Sequence, residues 1–341
     1  MDKKSYDSLF FSKTRDFLET FLIRQCGRSP HTVKAYRDAL TVFRKYVTDV
    51  REMSIRTFSF DECARDFLLD FMEYLQKNGK AKTSCNQRLA AIKAYLWYVA
   101  DGDISLQQVA LRVSRIPFLK THEVERAVLS EECLASLLSA PGNSPIGIRD
   151  TTIMVVLYDT AIRLEELLKL KTSDLNLQKA SPYLWIHGKG DKERIVSISD
   201  RTTEHIKRYM NYYHGASAPE TESFLYTVIN GHVHQMSPGN VQRLINKYAE
   251  QVRVKHPDMP LKVHPHMFRR TRATNLYQND VEIELVSRIL GHSSTQTTRI
   301  YAKPSLEMLK KAMEKSSGCF FDATPIWPDN EEELAKICGL R

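Results

Sequence analysis

LGHSSTQTTRIYAK (residues 290–303) closes one helix and opens another, and it places Tyr301 nine residues after His292. The segment before it, VEIELVSRIL, repeats apolar residues at helical spacing and halts at Gly291, a residue that readily takes the left-handed turn ending a helix. Ser293, Ser294 or Thr295 can cap the helix that follows, and Pro304 bounds it. Most tyrosines in such a helix are packing residues. The company Tyr301 keeps along the chain suggests chemistry instead.

Working back from that corner, HPHMFRRTRATNLY reads as a helix entered through His264-Pro265, with His266 and Arg269 three apart and so on one face. YLWIHGKGDKERIVSI reads as strand, turn, strand, with Lys189 in the Gly-Lys-Gly-Asp turn. Arg163 stands in DTAIRLEELLKL, with Glu165 and Glu166 close behind. Taken singly, each has an ordinary reading: Arg163 as an ion-pair partner, Lys189 as a solvated turn residue, His266 as a packed histidine. Taken together they suit a phosphodiester. Two guanidinium groups can hold its non-bridging oxygens in a bidentate grip. A tyrosine hydroxyl can attack phosphorus and form an ester. A lysine can protonate the departing oxygen, and histidines can donate to the developing charge.

The first third is helical. In RSPHTVKAYRDALTVFRKYV, Ser29 caps and Pro30 opens a helix whose Val33, Tyr36, Leu40, Phe43 and Val47 form one apolar stripe, with Lys34 and Arg37 off it. A second helix through RDFLLDFMEYLQKNG stops at Gly79. A third, TSCNQRLAAIKAYLWYVA, turns Leu89, Ile92, Leu96 and Val99 inward and carries Asn86, Arg88 and Lys93 elsewhere. RVSRIPFLKTHEVERAV (residues 112–128) has no helical stripe and reads as a linker. This divides the chain into an N-terminal domain over 1–114, a linker over 115–125, a second domain over 126–317 and a tail over 318–341.

The chain has 341 residues, enough for two domains, and is 42% hydrophobic and 26% charged, which excludes disordered and fibrous classes. A net charge of +8 favours a polyanionic partner. The most apolar stretch, residues 153–158, is too short to cross a bilayer, and the N-terminus lacks a secretory h-region, so a cytoplasmic protein with reduced thiols is expected. The six cysteines form no C-x-x-C pair. His232/His234 and His264/His266 have no sequence-adjacent cysteine or carboxylate cluster, so no metal and no cofactor is expected.

The ordered set AIRLEEL, HGKGDKERIV, HPHMFRRTRAT and LGHSSTQTTRIYAK resembles the tyrosine recombinases, or phage-type integrases, and SPHTVKAYRDAL and NQRLAAIKAYLWYV resemble their core-binding domain. The likeness runs over roughly residues 12–315, in the simpler Xer-like layout. It implies a mainly α fold with a small β-sheet, arranged as a two-domain, C-shaped clamp on double-stranded DNA. It implies catalytic roles for Arg163, Lys189, His266, Arg269, His292 and Tyr301, with Glu166 in support. It implies DNA contacts from Lys34, Arg37, Arg88 and Lys93. The implied activity is site-specific recombination through a 3′-phosphotyrosyl link that integrates, excises or resolves a mobile element. The implied assembly is a homotetramer on paired sites and a monomer or weak oligomer when free. The alternatives are a topoisomerase IB-like relaxing enzyme or a catalytically silent DNA-binding protein. Two departures stand out: Arg270 where many relatives have histidine, and Ala161-Ile162 in place of the commoner Gly-Leu. In the tail, Phe320, Phe321, Ile326, Trp327, Leu334 and Ile337 accompany an acidic run. That pattern fits docking on a neighbouring subunit or folding back on its own domain.

Overall fold

The computed structural model describes residues 7–121, 127–188, 193–215, 221–292, 294–299, 304, 306–316 and 330–340. Two compact units divide the chain, Met1–Glu125 and Arg126–Arg341. Lys189, Tyr301 and the tail anchors from Phe320 to Trp327 lie outside the described residues.

The first unit holds α1 (Asp16–Gln25), α2 (Pro30–Lys45), α3 (Arg65–Lys77), α4 (Lys82–Gly102) and α5 (Gln107–Ser114). α1 is wound with the wider π spacing, and a five-residue π turn, Tyr46–Val50, continues α2. Ser29 caps α2 by accepting from the Thr32 N–H, as its sequence predicts, a contact worth about 1 kcal/mol. Val33, Leu40, Phe43 and Val47 of the α2 stripe are buried against Phe10, Phe58, Phe71 and Tyr95. The rings meet edge to face, Phe10 lying 5.2 Å from both Phe43 and Tyr95 and Phe43 5.1 Å from Phe71, the geometry that ring quadrupoles favour. The Tyr95 hydroxyl donates to the Phe10 carbonyl, so this polar group at the centre is satisfied. The sequence reading ended helical structure before residue 112. In fact Arg112–Ser114 complete α5, Val113 is buried, and Ile116 and Leu119 pack on the same core. Apolar residues here fall on a helix only eight residues long, too short for a stripe to show.

The second unit runs α6 (Glu131–Ser139), α7 (Pro145–Asp159), α8 (Leu164–Lys169), β1 (Leu175–Asn176), β2 (Tyr183–His187), β3 (Glu193–Ser197), α9 (Asp200–Tyr213), β4 (Tyr226–Ile229), β5 (His232–Gln235), α10 (Pro238–Arg253), α11 (Pro265–Gln278), α12 (Ile283–Leu290), α13 (Leu306–Ser316) and α14 (Glu331–Ile337). β1–β2–β3 form an antiparallel sheet in which Leu184 faces Val196 and Ile186 faces Arg194. Leu184, Ile186 and Val196 are buried while Trp185 and Ile195 point outward, the two-residue alternation of a half-buried strand. β4 and β5 form a second hairpin, absent from the sequence reading. Its turn residues Asn230 and Gly231 both have positive φ (51° and 79°), the combination a two-residue primed turn needs.

Two polar ties set α11 against the end of α7. Arg272 pairs with Asp159 at 3.3 Å, and Asn275 donates to the Tyr158 hydroxyl at 3.0 Å. Asp159 also accepts from the Ser199 N–H and the Thr202 hydroxyl, fixing the start of α9. A small apolar cluster of Ala161, Ala273, Val286 and Leu290 then seats the end of α12 on the corner between α7 and α8.

Candidate active site

That corner is the base of the site. The chain leaves α7 through Thr160 and Ala161, and Ala161 is fully buried with φ of +51°, a left-handed conformation that costs a side-chain-bearing residue about 1–2 kcal/mol. The bend presents the Ala161 carbonyl to Arg269 and leaves Arg163 as the residue before α8. Glu166, one turn into α8, accepts from the Arg163 N–H and from its guanidinium, both at 2.9 Å, which caps the helix and orients the side chain together.

Glu166 is buried, and a second arginine reaches it. Arg194, on β3 opposite Ile186, donates through both terminal nitrogens, at 3.2 and 2.8 Å, to the two Glu166 oxygens. Burial alone would push the Glu166 carboxyl up. Hydrogen bonds and charge from Arg194 and Arg163 outweigh it and hold the carboxyl below the usual carboxylate range. Arg163 keeps 45% of its side-chain surface exposed, against 16% for Arg194. Arg163 is thus the more exposed guanidinium of the two and Arg194 the one behind the carboxylate.

Arg269, in the second turn of α11, is almost fully buried. Its guanidinium donates to the carbonyls of Ala161 (2.5 Å) and Leu290 (2.6 Å), tying the α7–α8 corner to the end of α12. It also donates to His292 Nε2 at 3.0 Å. A guanidinium has no acceptor, so Nε2 is the accepting nitrogen and Nδ1 carries the proton, given to the Thr298 hydroxyl at 2.8 Å. Burial first, then the neighbouring Arg269, Arg163, His266 and Arg194, pushes the His292 pKa down to about 4, leaving a neutral ring at neutral pH. The sequence reading gave His292 a donor's part toward phosphate. Its proton faces Thr298, so that part requires Arg269 and His292 to exchange partners.

Gly291 ends α12 at φ of +63°, where the His292 N–H returns to the Ser287 carbonyl. A β-carbon there would lie 2.9 Å from the Arg194 guanidinium carbon, so this backbone and Arg194 are in close contact. His266, in the first turn of α11, is exposed, with its ring 6.5 Å from that of His264. At the base of the β2–β3 hairpin, two residues before Lys189, His187 bridges Asp174 (3.3 Å) and Glu193 (2.9 Å). Its pKa is raised, first through the Asp174 hydrogen bond.

The described geometry therefore brings together Arg163, Glu166, Arg269 and His292 from three separate sequence segments and adds Arg194, which the sequence reading passed over. Two guanidinium groups, Arg163 and Arg194, share the Glu166 carboxylate, while Arg269 bonds backbone carbonyls and His292, so among the described residues of this set three cations stand against one carboxylate, a balance suited to an anionic ligand. Two tyrosines that could compete as nucleophiles are now placed. Tyr248 is buried and donates to Asp150, and burial followed by that carboxylate pushes its pKa up to about 12, far from an activated nucleophile. Tyr277 is half-buried near the end of α11.

On the N-terminal helices, Lys34 and Arg37 are exposed on α2, free of the core stripe. Arg88 turns its guanidinium back to the Ser84 carbonyl. Lys93 points elsewhere than a solvated face would suggest. Its ammonium donates to the Ser114 and Ile116 carbonyls and lies 4.6 Å from the Phe118 ring, closing the end of α5 onto α4. Among the described residues one group has metal-ligand chemistry, Cys133, His256 and Asp258. All three already have protein partners: the thiol and Ser130 donate to Asp258, and His256 pairs with Ser136. The group ties the start of α6 to the loop after α10.

Comparison with known proteins fits this arrangement. The profile of the phage integrase family matches residues 127–308, and that of the phage integrase N-terminal SAM-like domain matches residues 15–102. The tyrosine recombinase XerD of Listeria innocua is 28% identical over 302 residues, 86% of this chain and 95% of the relative. The tyrosine recombinase XerA of Thermococcus kodakarensis is 28% identical over 298 residues, 87% and 93% of the two chains. Among solved structures, the Tn1549 transposon integrase in complex with transposon right end DNA superposes with a TM-score of 0.67 at 17% identity, covering 87% of this chain and 98% of that one. The XerH site-specific recombinase bound to difH substrate gives 0.63 at 21% identity, covering 84% and 80%. These two likenesses are of fold. Among the described residues no helix is long and apolar enough to cross a membrane.

Proposed function

The chain belongs to the phage integrase family, and from that premise we propose that it is a site-specific DNA recombinase whose phosphate pocket is the cluster around Arg163 and Arg269. The observation that supports this best is the Arg163–Glu166–Arg194 and Arg269–His292 network, assembled from segments far apart in sequence and carrying surplus positive charge.

In this reading a scissile phosphate lies against Arg163, with Arg269, His266 and His292 completing the pocket. The Tyr301 hydroxyl attacks phosphorus. The new bond is a 3′-phosphotyrosyl ester, the bond that breaks is to the 5′-oxygen, and Lys189 supplies the proton that oxygen needs to leave as a hydroxyl. The 5′-hydroxyl of a partner strand reverses the step and expels the tyrosine. The phosphodiester's energy stays in the tyrosyl ester, so the exchange needs neither ATP nor a metal. The partner is double-stranded DNA with paired sites, and two rounds of exchange within a homotetramer recombine them. Such a role belongs to the movement or resolution of a DNA element.

The test is Tyr301→Phe. The variant should bind its DNA site with unchanged affinity in a mobility-shift assay and form no covalent adduct under denaturing electrophoresis. Adduct persisting in the variant would remove Tyr301 from the role.

A further inference from the structure

Arg194 has three structural connections at once. Both its terminal nitrogens go to Glu166, the same carboxylate that sets the backbone and side chain of Arg163. Its guanidinium rests on the Gly291 backbone, one residue before His292, at a distance that leaves no room for a methyl group. It leaves β3 five residues after Lys189, on the strand that continues from the hairpin turn. An arginine whose neighbours on the same sheet face are Ile186 and Val196 is there for its fork, since burying a cation beside apolar residues is unfavourable unless it is paired.

We infer that Arg194 is a positioning residue for phosphodiester transfer, clamping Glu166 from behind so that Arg163 is presented to the phosphate and β3 is held against the Gly291–His292 corner. This deepens the recombinase reading and rests on it. Arg194 itself touches no substrate. Without it, each Glu166 oxygen keeps only its Arg163 donor, and Arg163, half exposed on the far side, can swing together with the carboxylate. A displacement of about 1 Å at such a group costs about 10²-fold in rate. A lysine at 194 restores the charge without the two-pronged grip, so it should recover only part of the loss.

The experiment is single-turnover cleavage at saturating protein, on a nicked duplex bearing the site recovered by sequencing the wild-type adduct. Wild type, Arg194→Ala and Arg194→Lys are compared on a normal scissile phosphate and on a methylphosphonate, which carries no charge for Arg163 to meet. The expected result is unchanged DNA affinity, Arg194→Ala slower by about 10²-fold, Arg194→Lys intermediate, and a deficit that shrinks on the methylphosphonate. A deficit equal on both substrates, or one explained by lost folding in Arg194→Ala and absent in Arg194→Lys, would overturn the positioning role. So would an Arg194→Ala rate within about threefold of wild type. Wild type that forms no adduct on any DNA would overturn the recombinase reading beneath it. Wild-type adduct with an unimpaired Arg194→Ala would overturn the role of Arg194 alone.

Discussion

The centre of the N-terminal unit and the centre of the catalytic unit are both buried, but opposite interactions hold them. Around Phe10, Phe43 and Tyr95 the contacts are ring against ring, non-directional and large in area. Around Glu166 and Arg269 they are hydrogen bonds of fixed direction between charged or neutral polar groups. Burial of rings is stabilising by itself, at about 25 cal/mol per Å² of apolar surface. Burial of a carboxylate between guanidinium groups is near break-even as a whole and costly when one member is lost. The first region should therefore answer to volume and the second to the identity of single atoms.

The sharpest break is Phe43→Ala. It empties the middle of the aromatic cluster and should cost about 3–5 kcal/mol of the first unit's stability, read from denaturant unfolding by circular dichroism. Phe43→Leu, closer in volume, should recover most of that, because this core recognises size. A loss from Phe43→Leu equal to that of Phe43→Ala would contradict that view.

Glu166→Gln changes almost no volume. It leaves Arg163 and Arg194 facing one another without a charge between them, and should cost about 3 kcal/mol, the low end for a broken buried pair because Arg163 is half exposed. Adduct formation per folded molecule should fall as well. If Glu166→Gln behaved like a surface change in both unfolding and adduct assays, the network would be incidental.

These two regions were not equally legible from sequence. The α2 stripe, the Ser29 cap, the β2–β3 hairpin and the Gly291 helix stop all follow local periodicity or backbone rules, and each is found where it was expected. The segment after residue 111 was misread because its helix is short and its apolar residues answer to a core assembled elsewhere. The partners of Lys93 were hidden for a related reason: its acceptors, Ser114 and Ile116, are more than twenty residues away. Arg194 was overlooked although a signal existed. Counting back two from Val196 along a half-buried strand puts residue 194 on the core-facing side, where an arginine requires a carboxylate. The Asn230-Gly231 turn was equally readable. The fine geometry of Arg269 was not, because two of its partners are backbone carbonyls that no side-chain pattern announces.

Ala161 is a smaller test. Its left-handed backbone costs about 1–2 kcal/mol, and Ala161→Gly would relieve that while removing one buried methyl worth about 0.8 kcal/mol. A net gain of under about 1 kcal/mol in stability is expected by thermal unfolding, with adduct formation retained. Destabilisation by Ala161→Gly would mean the methyl's packing against Val286 and Leu290 outweighs the strain.

A last effect concerns pH. His292 has a pKa near 4 in the folded protein against 6.5 for an ordinary histidine. Between those values the unfolded chain takes up a proton that the folded chain refuses, so this residue's contribution to stability falls as pH drops from 6.5 toward 4. His292→Asn should flatten that part of the stability-versus-pH curve relative to wild type. Parallel curves for the two proteins would place the depressed titration elsewhere.

On the proposed mechanism, the polar network serves a tyrosine nucleophile at position 301. Wild-type protein trapped on DNA, digested with nuclease and trypsin and analysed by mass spectrometry, tests it directly. A nucleotide phosphate is expected on the peptide spanning residues 300–310, attached to Tyr301. A nucleotide carried instead by a peptide containing Tyr248 or Tyr277, with the 300–310 peptide unmodified, would contradict it.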